Sequence, residues 1–361
     1  MQIKTTDDFR GILRNAFEHE GWGLCIGAGT SYPVFPTWTE LVASLIKKQT
    51  GAVYGDDLSK SLLDKFSPDT LIQAVQHQMD VSDEAFSRVL ADELYANLKS
   101  KLTDVEWNSL RAIFESRNPH LEKDPSWRNY INVRERVFKE TSAYSIARFV
   151  NKTIEEGMPP KTIVTFNAEP LLFSLINSFE REKFLSKVKV KGQMVTKLDR
   201  LTHSISQQSN DKIKYIFCHG LLLAPLAKKR SSLLTASDKL VFSESAYLQL
   251  ASTNFSWQST EFVSNCLNRT MIFIGVSLTD PNMRRWLSWI QKLKQVEIRD
   301  GAQLPEKVAK NAYSHVWINR SPKDSNEKKW ISSCVQHLGV KIFWIEDWKD
   351  LLSVLDILRN S

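Results

Sequence analysis

The stretch from Trp22 to Ser31, WGLCIGAGTS, decides the fold. Its first half is apolar and predicts a buried strand, while the glycines and hydroxyl residues after Ile26 predict a tight turn. Glycines allow backbone N–H groups to approach an anion closely, and a helix is expected beyond the turn from Trp38 to Gln49. The pattern is typical of a loop that holds a phosphate group, although a turn without a ligand has the same pattern.

Three later segments also predict a strand that ends in polar residues. These strands lie near residues 162–166, 213–218 and 270–275. The polar side chains that follow them are Asn167, His219, Ser277 and Asp280. In an open parallel sheet, ligands bind outside the carboxyl ends of the strands. We therefore expect these side chains and the glycine turn to converge on one crevice.

The remaining pattern predicts a Rossmann-like α/β fold. No strand pattern occurs between residues 50 and 160, where helical spacing is found at Pro68–Met79, Asp83–Lys99, Asp104–Ser116 and Val133–Glu156. Beyond Pro160, strands alternate with helices, with further strands near 313–318 and 340–345 and a closing helix from Asp347 to Leu358. This alternation predicts a doubly wound parallel sheet. We expect one domain over residues 1–361, with an inserted all-helical module at residues 50–160 that covers the pocket.

Four motifs, in this order, resemble those of the sirtuin-type NAD-binding domain. They are Gly27-Ala28-Gly29-Thr30-Ser31, Thr165-x-Asn167-x-Glu169, His219-Gly220 and Gly275-x-Ser277-Leu278. Pro36-x-Trp38 and Asp280-Pro281 make the chain more similar to the sirtuin-like proteins of bacterial anti-phage defence. The resemblance implies an NAD hydrolase in which Asn167 and His219 are essential. It also implies that NAD is bound by Gly27, Ala28, Gly29, Thr30, Ser31, Thr165, Glu169, Gly275, Ser277 and Asp280.

The chain departs from the deacylase branch of that family. Deacylases hold a structural zinc with two Cys-x-x-Cys pairs, whereas the four cysteines here are widely spaced in the sequence, and we expect no zinc. The Pro-Asp-Phe-Arg signature is replaced by the segment from Tyr32 to Trp38. The acidic residue after Asn167 is Glu169 rather than aspartate. These departures disfavour acyl-lysine chemistry.

The chemistry of NAD cleavage suits an asparagine and a histidine. The bond between nicotinamide and the ribose breaks through an oxocarbenium-like state, and the cationic pyridinium leaves without strong acid catalysis. The reaction needs a group that orients a ribose hydroxyl or water, and a base that takes its proton. The amide of Asn167 donates and accepts hydrogen bonds, and the imidazole of His219 titrates near neutrality.

Each of these residues also has a purely structural interpretation. His219 follows a buried strand and is also consistent with a hydrogen-bonded turn residue. Asn167 is also consistent with a turn former whose side chain bonds its own backbone. Asp280 suits the N-cap of a helix, and Glu169 suits the cap of the helix that begins near Pro170.

Composition and charge narrow the class of protein. No apolar run is long enough to span a bilayer, no signal peptide is evident and the cysteines fit a reducing compartment, so we expect a cytoplasmic protein.

The chain is basic, with a formal net charge of +7. The basic residues cluster at Lys183, Lys187, Lys189, Lys191 and Lys197 and again at Lys228, Lys229 and Arg230. Neither cluster has interleaved aromatic residues for stacking bases, so direct nucleic-acid binding is disfavoured.

Assembly is expected for two reasons. The eleven tryptophans, among them Trp286 and Trp289 on one predicted helix, exceed what one core needs and suit a subunit interface. The resemblance implies homo-oligomerisation and a separate partner, such as a HerA-type ATPase or a short Argonaute.

A non-catalytic scaffold that binds NAD or ADP-ribose remains an alternative function, as does a deacylase or ADP-ribosyltransferase. A nuclease is disfavoured because no carboxylate cluster has metal-site spacing.

Overall fold

One all-parallel sheet of seven strands forms the centre of the molecule. A computed structural model describes residues 12, 16–17, 21–51, 55–187, 196–202, 211–225, 240–252, 256–302 and 314–360. The strands are β1 Trp22–Ile26, β2 Thr162–Thr165, β3 Leu198–Leu201, β4 Ile213–Phe217, β5 Thr270–Ile274, β6 His315–Arg320 and β7 Val340–Ile345. Their order in the sheet is β3-β4-β2-β1-β5-β6-β7.

Helices cover both faces of this sheet. They are α1 Trp38–Thr50, α2 Gly55–Leu63, α3 Pro68–Met79, α4 Asp83–Lys99, α5 Asp104–Glu115, α6 Asp124–Val133, α7 Ser142–Glu155, α8 Leu171–Lys187, α9 Glu244–Ser252, α10 Trp257–Asn268, α11 Pro281–Ala302, α12 Ser325–Gln336 and α13 Leu351–Asn360. Side chains of β1 alternate between two cores: Leu24 and Ile26 join one, and Cys25 joins the other. Burial on both faces is typical of a parallel sheet. The predicted doubly wound α/β fold is confirmed.

The strand order places a topological switch point beside β1. The chain runs from β1 to β2 on one side, and later crosses to β5 on the other side. In the register of the sheet, Ile26 lies opposite Thr165 of β2 and Ile274 of β5. The loops that leave these three strands therefore meet at one edge of the sheet, where open α/β sheets bind their ligands.

The described chain between β1 and β2 is helical, and one prediction about it is wrong. The expected helix Val133–Glu156 is broken: α6 ends at Val133, a π-helical turn covers Arg134–Phe138, and α7 begins at Ser142. Thr141 causes the new start, because its hydroxyl accepts the Tyr144 N–H (3.2 Å) and donates to the Phe138 carbonyl (2.7 Å). Such local bonds compete with a continuous helix.

Other elements were not predicted from the sequence. Strand β3 carries Asp199 and Arg200 at the edge of the sheet, so it lacks the apolar run of a central strand. Helices α2, α6, α9 and α12 were also not predicted. Residues 189, 191 and 228–230 of the two basic clusters lie outside the described residues, and Lys183 forms an ion pair with Glu155. None of the helices within the described ranges is long and apolar enough to cross a bilayer.

Candidate active site

The glycine loop after β1 packs directly against the loop after β5. The N–H groups of Gly27 and Gly29 donate to the carbonyls of Ile274 and Gly275, both at 3.1 Å. A Cβ on Gly27 would lie 2.4 Å from the Gly275 carbonyl oxygen. Gly275 itself has φ 66°, and a Cβ there would lie 2.6 Å from the Thr30 nitrogen. Both glycines are therefore required by the close approach of two backbone segments at the switch point.

The same loop differs from the phosphate-holding turn that its sequence suggests. Residues Ala28–Thr30 form a single 3₁₀ turn, in which the N–H groups of Thr30 and Ser31 donate to the carbonyls of Gly27 and Ala28. With the two bonds to the β5 loop, four of its N–H groups already have backbone acceptors. These four N–H groups are therefore not free to bind a phosphate. The accessible surface of the loop consists of Ala28, which is partly exposed, and Gly29, which is exposed.

The hydroxyl residues of this loop face inward, towards Asn167 and Glu169. The Ser31 hydroxyl donates to Glu169 Oε1 at 2.5 Å. The Asn167 side-chain nitrogen donates to the same Oε1 at 2.9 Å and to Ser31 Oγ at 3.2 Å. Thr30 lies at the margin of this cluster, with its Oγ1 3.5 Å from Asn167 Nδ2. The structure thus brings together predicted site residues that are far apart in the sequence.

Asn167 is held with its side-chain oxygen unsatisfied. Its own backbone N–H donates to Thr165 Oγ1 at 3.0 Å, which fixes the chain at the end of β2. The side-chain nitrogen of Asn167 faces Glu169 and Ser31, so its Oδ1 points away from them. Asn167 is 6% exposed, and its Oδ1 has no hydrogen-bond partner among the residues that the structure describes. A buried acceptor without a donor is costly, so a hydrogen-bond donor from a water or a ligand would stabilise this atom.

Glu169 contacts both the start of α8 and the side chains of Asn167 and Ser31. Its Oε2 accepts the Leu171 N–H at 2.5 Å and thereby caps α8, while its Oε1 orients Asn167 and Ser31. Burial raises the pKa of Glu169 to about 7, although the hydrogen bonds from Ser31, Leu171 and Asn167 oppose this rise. The carboxyl group therefore changes charge near neutral pH.

This pKa makes the stability of the protein depend on pH. Because the pKa of Glu169 rises from 4.5 to about 7 on folding, the folded state prefers the protonated carboxyl group. The free energy of unfolding should fall by about 3 kcal/mol as the pH rises from 4.5 to about 7. Urea unfolding of Glu169→Gln should lack this part of the pH dependence, and Glu327→Gln, at an exposed glutamate of α12, is the control. Equal pH dependence in wild type and Glu169→Gln would contradict the assignment.

His219 lies in a second cluster at the end of β4. Its Nε2 is 3.7 Å from Asp280 Oδ2, and the Tyr247 hydroxyl is 3.5 Å from both ring nitrogens. The ring of Phe166 packs edge-on against the imidazole at 4.8 Å between centroids. Burial lowers the pKa of His219, and the charge of Asp280 opposes this. At neutral pH the imidazole is therefore mostly neutral and able to accept a proton.

Phe166 connects the two clusters, because it precedes Asn167 and contacts His219. Asp280 is the predicted N-cap, with Oδ1 accepting the Met283 N–H at 2.9 Å, and it also faces His219. Ser277 is not brought into either cluster: its side chain is exposed and bonds Thr279 at 2.6 Å. Sequence reasoning missed Tyr247, because α9 carries no motif that marks it.

Cysteines and metal ligands were also considered in the sequence. Cys25, Cys218 and Cys266 are buried in the same core cluster, and Cys334 is exposed. Burial raises the pKa of all three buried thiols, so they remain protonated. Within the described ranges, no group of three or more histidine, cysteine, aspartate or glutamate side chains is arranged to hold a metal ion.

The parallel sheet and its helices define a Rossmann-like α/β domain, with two polar clusters at the carboxyl edge of the sheet. A family model described as a SIR2-like domain matches residues 161–339. This region contains Asn167, Glu169, His219 and the β5 loop, and it begins after the glycine loop. No curated protein matches the chain. The family match supports a sirtuin-like domain, which is compatible with NAD-related activity.

Proposed function

We propose that this protein is an NAD glycohydrolase that cleaves NAD to nicotinamide and ADP-ribose. The observation that carries this proposal is the buried, unpartnered Oδ1 of Asn167 at the carboxyl end of β2. A ribose hydroxyl or a bound water is the kind of donor that this acceptor needs. Gly29, in the loop that packs beside Asn167 and Glu169, is exposed and carries no side chain, so this part of the backbone is accessible to a ligand.

In this proposal the two clusters have different tasks. Asn167, held by Glu169 and Ser31, orients the hydroxyl or water that stabilises or attacks the oxocarbenium-like centre. His219 takes the proton of that group, since its lowered pKa keeps the imidazole neutral. Nicotinamide leaves with the electron pair of the broken bond, water adds to the ribose carbon, and one proton is released.

Turnover and binding together test this proposal. The full chain is incubated with NAD, nicotinamide and ADP-ribose are quantified, and NAD binding is measured by titration calorimetry. We expect both products in equal amounts, and a rate roughly 10²- to 10⁴-fold lower for His219→Gln with NAD binding retained. Tight NAD binding without turnover, also with the candidate partner present, would instead favour the non-catalytic scaffold. Turnover that requires an acyl-lysine peptide would favour the deacylase.

We propose further that the reaction takes place in the cytoplasm and depletes cellular NAD during anti-phage defence. The support for this role is the motif order together with Pro36-x-Trp38 and Asp280-Pro281. Infected cells that carry the wild-type gene should lose NAD, whereas cells that carry His219→Gln should keep it. Equal NAD levels in the two cultures would count against the defence role.

Assembly is also part of the proposal, with homo-oligomerisation and a partner such as a HerA-type ATPase or a short Argonaute. Trp286 is buried in the core, but Trp289 is 45% exposed and shares one face of α11 with Leu293 and Val296, which are 53% and 46% exposed. Their spacing places them along a single helical stripe. Exposed apolar stripes are typical of protein interfaces.

A charge placed in this stripe should weaken self-association. We expect Trp289→Glu to shift the oligomer towards monomer in mass photometry, because the new carboxylate would be buried at the interface. Trp330→Glu is the matched control, since Trp330 is 73% exposed on α12, outside the stripe. An unchanged mass distribution for Trp289→Glu would exclude this face as the self-association surface.

A further inference from the structure

The side chains of His219, Tyr247 and Asp280 come from separate elements and lie close together at the end of β4. His219 follows β4, Tyr247 lies on α9, and Asp280 precedes α11. The rings of His219 and Tyr247 lie 5.3 Å apart, edge to face, at an interplanar angle of 77°. Phe166 also meets the imidazole edge-on, at 4.8 Å between centroids and an interplanar angle of 87°. Contacts with two aromatic rings restrict rotation of the imidazole.

Asp280 has one oxygen for the helix and one for the histidine. Its Oδ1 accepts the Met283 N–H at 2.9 Å, and this N-cap bond fixes the orientation of the carboxylate. Its other oxygen, Oδ2, does not take part in this capping bond and lies 3.7 Å from His219 Nε2. The capping bond thus holds a negative charge next to the imidazole.

Tyr247 interacts with both His219 and Asp280. Its hydroxyl oxygen is equally distant, at 3.5 Å, from the two ring nitrogens of His219, so it lies between them and is not aligned with either one. Burial raises the pKa of Tyr247, and the charge of Asp280, the charge of Asp69 and a hydrogen bond to Asp280 add to this effect. The phenol therefore stays protonated and serves as a donor.

We propose that Tyr247 and Asp280 are positioning residues for His219: they fix its ring, and Asp280 stabilises the charge that the ring acquires on accepting a proton. This inference rests on the proposed NAD cleavage. The proton moves from the attacking hydroxyl or water to His219, and it passes to solvent after the products leave. Among the described residues, Asp280 and Tyr247 are the titratable groups that face the imidazole, and β2 contributes the uncharged Phe166.

The pH profile of turnover tests this role. Asp280→Asn keeps an N-cap acceptor but removes the charge, so the decline of kcat at low pH should move to lower pH and the plateau should fall roughly 10-fold. Asp324→Asn is the control, because Asp324 also caps a helix: its Oδ1 accepts the Asn326 N–H at the start of α12 at 2.9 Å. A merely structural role for Asp280 would lower stability without moving the profile, and that result would overturn the proposal.

Tyr247→Phe keeps the ring but removes the hydroxyl. We expect kcat to fall roughly 10-fold with KM for NAD unchanged. Tyr144→Phe is the control, since the Tyr144 hydroxyl also donates to a carboxylate, that of Glu135 at 3.1 Å, on α7 of the helical region. Wild-type kcat in Tyr247→Phe would overturn the role of this residue.

A second measurement does not require NAD cleavage. NMR titration of the His219 ring, assigned with His219→Gln, should give a lower pKa in Asp280→Asn than in wild type. Equal pKa values would overturn the coupling between Asp280 and His219, even in an active enzyme. If the wild type does not cleave NAD, the proposed function fails, and this titration still decides whether Asp280 acts on His219.

Discussion

Asn167→Ala will lose NAD cleavage, with kcat at least about 100-fold below that of the wild type. The reason is positional: Glu169 and Ser31 hold the amide so that its oxygen stays buried and free for a donor of the ligand. Alanine removes that acceptor and opens the cluster to water. The measurement is nicotinamide release at saturating NAD, together with a thermal melt that verifies folding.

The control for this change is another buried amide. Asn151 on α7 donates to the carbonyls of Ala147 and Ile176, at 2.9 and 3.1 Å, and contacts none of the motif residues through these bonds. Asn151→Ala should lower stability, because two carbonyls lose their donor, but it should leave kcat near the wild-type value. If Asn167→Ala keeps the wild-type kcat while folded, Asn167 is not part of the reaction.

Gly275→Ala will destabilise the fold by about 2 to 5 kcal/mol, which is the largest stability effect that we expect. Two costs add at this position: the backbone has φ 66°, and the new Cβ would lie 2.6 Å from the Thr30 nitrogen. Neither backbone segment can yield easily, because hydrogen bonds join the two loops at Gly27 and Gly29. Urea unfolding of the purified variant measures the loss.

Two further variants separate these costs. Gly157→Ala tests the backbone term alone, because Gly157 has φ 75° and nothing within 4 Å of the added Cβ, so we expect a loss of about 1 kcal/mol. Gly27→Ala tests the contact alone, because Gly27 has φ −123° while its Cβ would lie 2.4 Å from the Gly275 oxygen. Equal losses for Gly275→Ala and Gly157→Ala would show that the two loops do not pack as described.

Local sequence patterns predict most of the sheet and the positions of the motif residues. The apolar runs before Gly27, Asn167 and His219 are short and bounded by polar or glycine residues, and these three residues follow β1, β2 and β4 at the carboxyl edge of the sheet. The motif residues are informative because their positions follow directly from where each strand stops.

Features that depend on contacts between distant segments could not be predicted in this way. The partnership of Tyr247 with His219 depends on how α9 packs, and no residue near Tyr247 in the sequence signals it. The hydrogen bonds that use the N–H groups of the glycine loop depend on the β5 loop, which lies far along the chain. The extra methylene of Glu169 left its role open, and the structure shows that its two oxygens reach both Asn167 and the start of α8.

The rate of nicotinamide release from NAD by the full chain, measured with and without an acetyl-lysine peptide, tests the central claim most directly. We predict release that does not depend on the peptide, that yields an equal amount of ADP-ribose and that is lost in Asn167→Ala. Release that requires the peptide, or that persists in folded Asn167→Ala, would contradict an NAD glycohydrolase built around this residue.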